Sequence, residues 1–209
     1  ATAETAIDGR WVEGPGGKLF DRLRQVFGDL PLVAEDLGII TPEVDALRQA
    51  YGFPGMKILQ FAFDGGEDNP YLPHNHERLS IVYTGTHDND TTLGWFNSLD
   101  EGSREHVNHH LARYQSEMPW SLVEAALDSI AVLAVFPLQD VLSLGSEGRM
   151  NTPGTSENNW CWRFSWSQLQ PELAVQLRQL VEHYDRNPRP GHHHSQMMRP
   201  VSKECDNNG

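Results

Sequence analysis

Apolar residues recur at helical spacing near the start of the chain, at Leu19, Phe20, Leu23, Val26 and Phe27, and stop at Gly28. That spacing predicts an amphipathic helix closed by the residue type most common just past a helix end. After a short turn, Leu32-Val33-Ala34 is an apolar run too short for a helix, and it reads as an interior strand ending at Glu35. Thr41, Pro42 and Glu43 open a second helix with Val44, Leu47 and Tyr51 on one face, and Gly52 closes it. Met56 to Phe63 and Leu79 to Thr84 read as two more strands, separated by a loop rich in Pro, Asn and His. Helical patterns over 101–114 and 120–129 lead into a fourth buried strand, Ala131 to Phe136, and residues 168–184 supply a last helix. Strands alternating with helices predict βαβ units on a parallel sheet, with chemistry at the carboxyl ends of the strands.

Four strands are half of what a closed (β/α)8 barrel needs, and 209 residues fall short of its usual span of about 250. The expected fold class is therefore α/β, as half a barrel or a small open sheet, over residues 1–185. From Arg186 to Gly209 apolar periodicity vanishes, and a disordered polar tail is expected. The net charge of −13 disfavours nucleic acid and anionic membranes as partners. The longest apolar stretch, Ile130 to Phe136, is far below the roughly 20 residues that cross a bilayer. Ala1 is followed by no basic segment leading into an apolar one, and two cysteines make no disulfide framework, so a reducing, cytoplasmic location is expected.

Two segments offer chemistry. Glu35-Asp36 ends an apolar strand, where burial would raise a carboxyl pKa and keep a general acid protonated. Thr84-Gly85-Thr86-His87-Asp88-Asn89-Asp90 follows another strand and sets an imidazole beside a carboxylate. Each pair alone is as readily an ordinary loop or capping pair. Carboxylates ending two different parallel strands are what glycoside chemistry uses: an acid for the leaving oxygen and a carboxylate for an oxocarbenium-like centre. Trp160, Trp162, Phe164 and Trp166 alternate, as for sugar stacking or for one packed face of a strand. His106, His109 and His110 have metal-ligand spacing on a helix, but no carboxylate or Cys is placed to complete a site, so no metal is expected there. Phosphate-loop, dinucleotide-binding, nucleophile-elbow and paired CxxC patterns are absent from the sequence.

Read together, Ala34 to Thr41 (AEDLGIIT), Phe53 to Lys57 (FPGMK), Leu59 to Phe63 (LQFAF), Asn69 to Asn75 (NPYLPHN) and Tyr83 to Trp95 (YTGTHDNDTTLGW) resemble the amylomaltase, or disproportionating enzyme, family of 4-α-glucanotransferases. Gln139-Asp140-Val141, Gly145-Ser146-Glu147, Arg149-Met150-Asn151 and Pro153-Gly154 continue the match, which covers about residues 7 to 184 in order.

The resemblance implies the C-terminal half of a (β/α)8 barrel, strands five to eight. It makes Glu35 the general acid/base, Asp88 the transition-state-stabilising carboxylate and His87 a donor-site sugar ligand. Phe61, Asp64, Asn151, Pro153 and Gly154 resemble residues lining the glucan cleft. The residues alone would make Glu35 and Asp88 an acid and nucleophile pair. The family instead places its nucleophilic Asp in an Arg-Ile-Asp-His type motif that these 209 residues do not contain, so the N-terminal half of the barrel is an implied partner. Gly65 and Gly66 stand where some relatives carry another acid, and Asn158-Asn159-Trp160 replaces a Gly-Asn-Trp pattern. The implied reaction is retaining transfer of an α-1,4-glucan segment to the 4-OH of an acceptor glucan or glucose, on maltooligosaccharides, without cofactor or metal. The alternatives are an α-glucan hydrolase of the same barrel class, and an inactive or merely sugar-binding fragment.

Overall fold

A computed structural model describes residues 9, 10 and 12–187. The elements run α1 (Gly17–Phe27), α2 (Pro42–Ala50), β1 (Gly55–Ile58), β2 (Ser80–Tyr83), α3 (Thr92–Ser98), α4 (Glu101–Leu111), α5 (Trp120–Asp128), β3 (Leu133–Val135), α6 (Leu138–Val141) and α7 (Pro171–His183). The three strands form a parallel sheet in the order β1-β2-β3. Its last rung aligns Ile58, Tyr83 and Val135, so the three strands end level with one another.

The core is organised by α5, whose residues 120 to 127 are all buried. Leu122, Ala125 and Ala126 join Leu59, Val82, Val107 and Leu111 between the sheet and α4. Trp120, Val123 and Leu127 join Val141 and meet Leu173, Leu177, Leu180 and Val181 of α7. Each such Leu or Val contributes about 1.5–3 kcal/mol by leaving water. The end of α5 is closed from outside. Arg186 donates to Leu127 O at 2.8 Å, to Ala131 O at 2.6 Å and to Ser129 O, serving carbonyls that a helix terminus leaves unpaired. The sequence reading began the polar tail at Arg186, yet this residue is part of the packed body. The rest of that reading, residues 188–209, lies outside the described residues.

Three expectations change. Leu32-Val33-Ala34 is extended but not a strand. Ala34 N donates to Pro54 O at 2.9 Å, but the next donor, Met56 N, goes to the Asp36 carboxylate at 2.7 Å, so a side chain ends the ladder. Leu32 and Val33 are 39% and 41% exposed. The apolar run Met56 to Phe63 is a strand only to Ile58 and then coils into a 3-10 turn, Leu59–Phe61. A short apolar run does not distinguish the two states by periodicity. Finally, β3 is not buried on both faces: Ala134 packs inward while Leu133 and Val135 alternate outward.

The aromatic alternation at 160–166 is not a strand either. Trp162 and Phe164 stack at 6.1 Å, and Phe164 meets Trp166 edge-on at 5.4 Å. On α4, the His106 and His110 rings pack edge to face at 4.6 Å, and burial lowers the pKa of His110.

Candidate functional site

The three aligned strand ends, Ile58, Tyr83 and Val135, form the floor of a cleft of about 670 Å³. Its walls include Glu35, Phe61, Gly85, His87, Asp88 and Pro153. The segment before α2, the turn after β1, the β2–α3 loop and the loop after α6 therefore meet at the carboxyl edge of the sheet, where parallel α/β folds gather ligands.

The adjacent carboxylates Glu35 and Asp36 divide their work. Asp36 Oδ1 accepts from Met56 N at 2.7 Å, and Oδ2 lies 3.4 Å from Nε of the buried Arg48. Arg48 in turn donates to Phe53 O at 3.1 Å and pairs with Asp45 at 2.7 Å. This close approach requires a glycine opposite, since a Cβ on Gly55 would sit 2.1 Å from Asp36 Oδ2. With Asp36 pinned to β1, the neighbouring Glu35 lines the cleft. The burial expected of Glu35 is not found among the described residues, where it is exposed. Its charge reaches Tyr83, whose pKa is raised first by burial and then by Glu35.

The loop carrying His87 and Asp88 is tied down at both ends by one buried carboxylate. Asp140, 1% exposed, accepts from Thr84 Oγ1 at 2.6 Å, from Thr92 N at 2.8 Å and from Thr92 Oγ1 at 2.8 Å. Burial raises its pKa against the opposing effect of these donors. Between the anchors, Asn89 Oδ1 accepts from Thr86 N and Oγ1, both at 2.8 Å, and Gln60 Nε2 donates to Asp90 O at 3.0 Å. A Cβ at Gly85 would meet Gln60 Nε2 at 2.6 Å, so a larger residue there would displace that amide from Asp90 O.

The exposed tip is organised from the loop after α6. Arg149 Nη2 donates to Asp88 O at 2.8 Å and Asn151 Nδ2 to Asp88 Oδ1 at 2.7 Å. His87 Nε2 lies 3.2 Å from the same Oδ1, and the Trp160 ring packs on the His87 ring with centroids 5.1 Å apart.

Of the residues singled out from sequence, Glu35, Phe61, His87, Asp88 and Pro153 share the cleft, and Asn151 joins it through Asp88. Asp64 lies in an adjoining recess of about 480 Å³, with Phe61, Asn69 and Tyr71. Phe61 belongs to both and meets Tyr71 edge-on at 5.6 Å. Gly154 sits outside both, in an exposed turn with φ +80°. The sequence singles out none of Asp140, Gln60, Asn89 or Arg149 individually, and offers Asp36 only as part of the Glu35-Asp36 pair.

A parallel α/β scaffold with carboxylates, an imidazole and an aromatic ring converging at its strand ends defines a protein built around a ligand cleft. The chain belongs to the 4-alpha-glucanotransferase family, whose sequence profile matches residues 1–169. It is 51% identical over 195 residues to the 4-alpha-glucanotransferase of Thermus thermophilus, covering 89% of this chain and 39% of that protein. The 4-alpha-glucanotransferase of Synechocystis is 50% identical over 186 residues, covering 88% of this chain and 37% of its own length. An amylomaltase from Streptococcus agalactiae, solved in complex with acarbose, superposes with a TM-score of 0.82 at 32% identity, over 89% of this chain and 38% of that one. The chain thus spans about two fifths of the length of these relatives.

Proposed function

We propose that this chain is the strand-five-to-eight portion of a (β/α)8 glucanotransferase barrel, carrying the acid/base and the transition-state carboxylate for transfer of α-1,4-glucan segments. The observation that carries the reading is the convergence of Glu35 with the His87-Asp88 step on one cleft at the strand ends.

In the proposed reaction, Glu35 protonates the departing glucan oxygen while a nucleophilic Asp attacks the anomeric carbon to form a glucosyl-enzyme. Glu35, now ionised, then takes the proton from the 4-OH of an acceptor glucan or glucose, whose oxygen displaces the enzyme carboxylate. Asp88 stabilises the oxocarbenium-like charge between these states. Its Oδ1 is held by Asn151, so its position does not have to be found during the reaction. His87, with Nε2 at Asp88, offers its other ring nitrogen to a sugar hydroxyl beside it. The apolar face of Phe61 suits a pyranose ring, and the adjoining recess with Asp64 extends the path along which a maltooligosaccharide lies. The nucleophile comes from an Arg-Ile-Asp-His type motif outside these 209 residues, in a segment that supplies the rest of the barrel and is thus the implied protein partner. The exposed apolar residues Leu32 and Leu133, which lie outside the cleft lining, favour such a neighbour.

The test is product analysis on maltotriose, with this chain alone and with a separately supplied segment holding that motif. A ladder of longer and shorter glucans in the mixture only, lost in Glu35→Gln, supports the reading. Glucose release without longer products would favour an α-glucan hydrolase, and ladders from this chain alone would place the nucleophile within it.

A further inference from the structure

The proposed function leaves Trp160 without a role, although its backbone and the setting of its ring are both unusual. Its backbone has φ +61°, a left-handed conformation that is an outlier for a bulky residue. It is held there by a hydrogen bond from Trp160 N to Met150 O at 2.7 Å. The preceding loop is closed on itself, with Asn159 Oδ1 accepting from Thr152 N at 2.9 Å and Asn159 Nδ2 donating to Thr155 O at 3.0 Å. The result of this fastening is a ring 53% exposed, unlike a core tryptophan, that rests on the imidazole of His87. Trp160 is not among the residues lining the cleft, whereas His87 is.

We infer that Trp160 is a positioning residue: the loop after α6 holds its indole against His87 so that the imidazole stays turned toward Asp88 and the cleft. The inference rests on the reading of His87 as a sugar ligand. Its logic is steric and entropic. His87 is itself exposed, and its ring would otherwise sample several rotamers. A side chain that reaches into solvent binds weakly because binding must first order it. One ring face against an indole, with Nε2 at the Asp88 carboxylate, restricts both χ angles before the sugar arrives. Backbone strain at such a place is found where the surrounding structure over-determines a functional geometry.

The variant Trp160→Gly separates this role from a structural one, because glycine suits φ +61° and relieves the strain while removing the ring. Trp160→Phe restores a ring. Two readouts are made on the full chain. Carbon-13 relaxation of the His87 ring, without ligand, is expected to show an ordered imidazole in the unmodified chain and in Trp160→Phe, and a mobile one in Trp160→Gly, with a thermal midpoint no lower than before. Titration with maltotriose is expected to weaken about five- to tenfold in Trp160→Gly, to recover largely in Trp160→Phe, and to show no further loss when Trp160→Gly is added to His87→Ala.

An equally ordered His87 ring in Trp160→Gly overturns the inference, as does an equal loss of affinity in the His87→Ala background. A lower midpoint with His87 still ordered makes Trp160 a structural residue and also overturns it. If the unmodified chain does not bind maltotriose, or His87→Ala binds it undiminished, the functional reading fails, while the ring's order still decides the role of Trp160.

Discussion

His76 is buried, with Nδ1 2.7 Å from Ser129 Oγ and Nε2 2.8 Å from Tyr71 O. A carbonyl only accepts, so Nε2 carries the proton and Nδ1 accepts from the serine hydroxyl. Burial is the main cause that lowers its pKa from 6.5 to about 4, with Lys57 and His74 acting in the same direction and the Tyr71 hydrogen bond opposing. A group that protonates more readily unfolded than folded makes stability rise with pH through the interval between its two pKa values. The contribution is therefore complete above about pH 6.5 and is lost as pH falls toward about 4, an effect on the order of 3 kcal/mol. Urea unfolding at pH 7 and pH 4.5 checks this against His76→Gln, whose amide does not titrate. The difference between the two pH values should be markedly smaller in the variant, and an equal difference would assign the acid sensitivity elsewhere.

At the scale of elements, two tethers position the site. Gly55 allows Asp36 to reach β1, and Gly55→Ala should cost about 1–3 kcal/mol in a denaturant titration, because a methyl group would overlap a carboxylate that Met56 N and Arg48 hold in place. Asp140 spans the base of the β2–α3 loop. Asp140→Ala strands three buried donors, with an expected loss of about 2–4 kcal/mol. Asp140→Asn should cost less than half as much, since the Thr84 and Thr92 hydroxyls rotate to accept from an amide. A denaturation midpoint for Asp140→Ala equal to that of the unmodified chain would show that the tether contributes nothing.

These tethers also mark what sequence alone conveyed. Helices α1, α2, α4, α5 and α7 follow from apolar spacing, Thr41-Pro42 and Gly28, because those signals act within one or two turns. The cores of β1, β2 and β3 followed from apolar runs between turn residues. The strand expected at Leu32-Val33-Ala34 did not form, because whether an extended segment joins a sheet depends on which acceptor its neighbour's amide takes, and here Asp36 supplies it. Glu35, His87 and Asp88 were legible as carboxylates and an imidazole ending apolar runs. The tethering roles of Asp36, Arg149 and Asp140 were not, since their partners lie 20 to 61 residues away and leave no local pattern.

At the scale of the molecule, the described chain has a packed interior on the α4–α5–α7 side and exposed apolar side chains at Leu32 and Leu133, outside the cleft that Val33 and Val135 line. That asymmetry is what the proposed completion of the barrel by a further segment requires, and the chain spans about two fifths of the length of its relatives. The cleft is nonetheless assembled from this chain's own segments, so under the proposed function sugar recognition belongs in part to these residues. The most direct measurement of that claim is a maltotriose titration of the isotopically labelled chain followed by amide NMR. Shifts concentrated at Glu35, Phe61, Gly85 to Asp88 and Pro153's neighbours, extending to Asp64, are the predicted result. Shifts confined to surfaces away from the strand ends, or no saturable shifts at all, would contradict the assignment of this cleft as the glucan site.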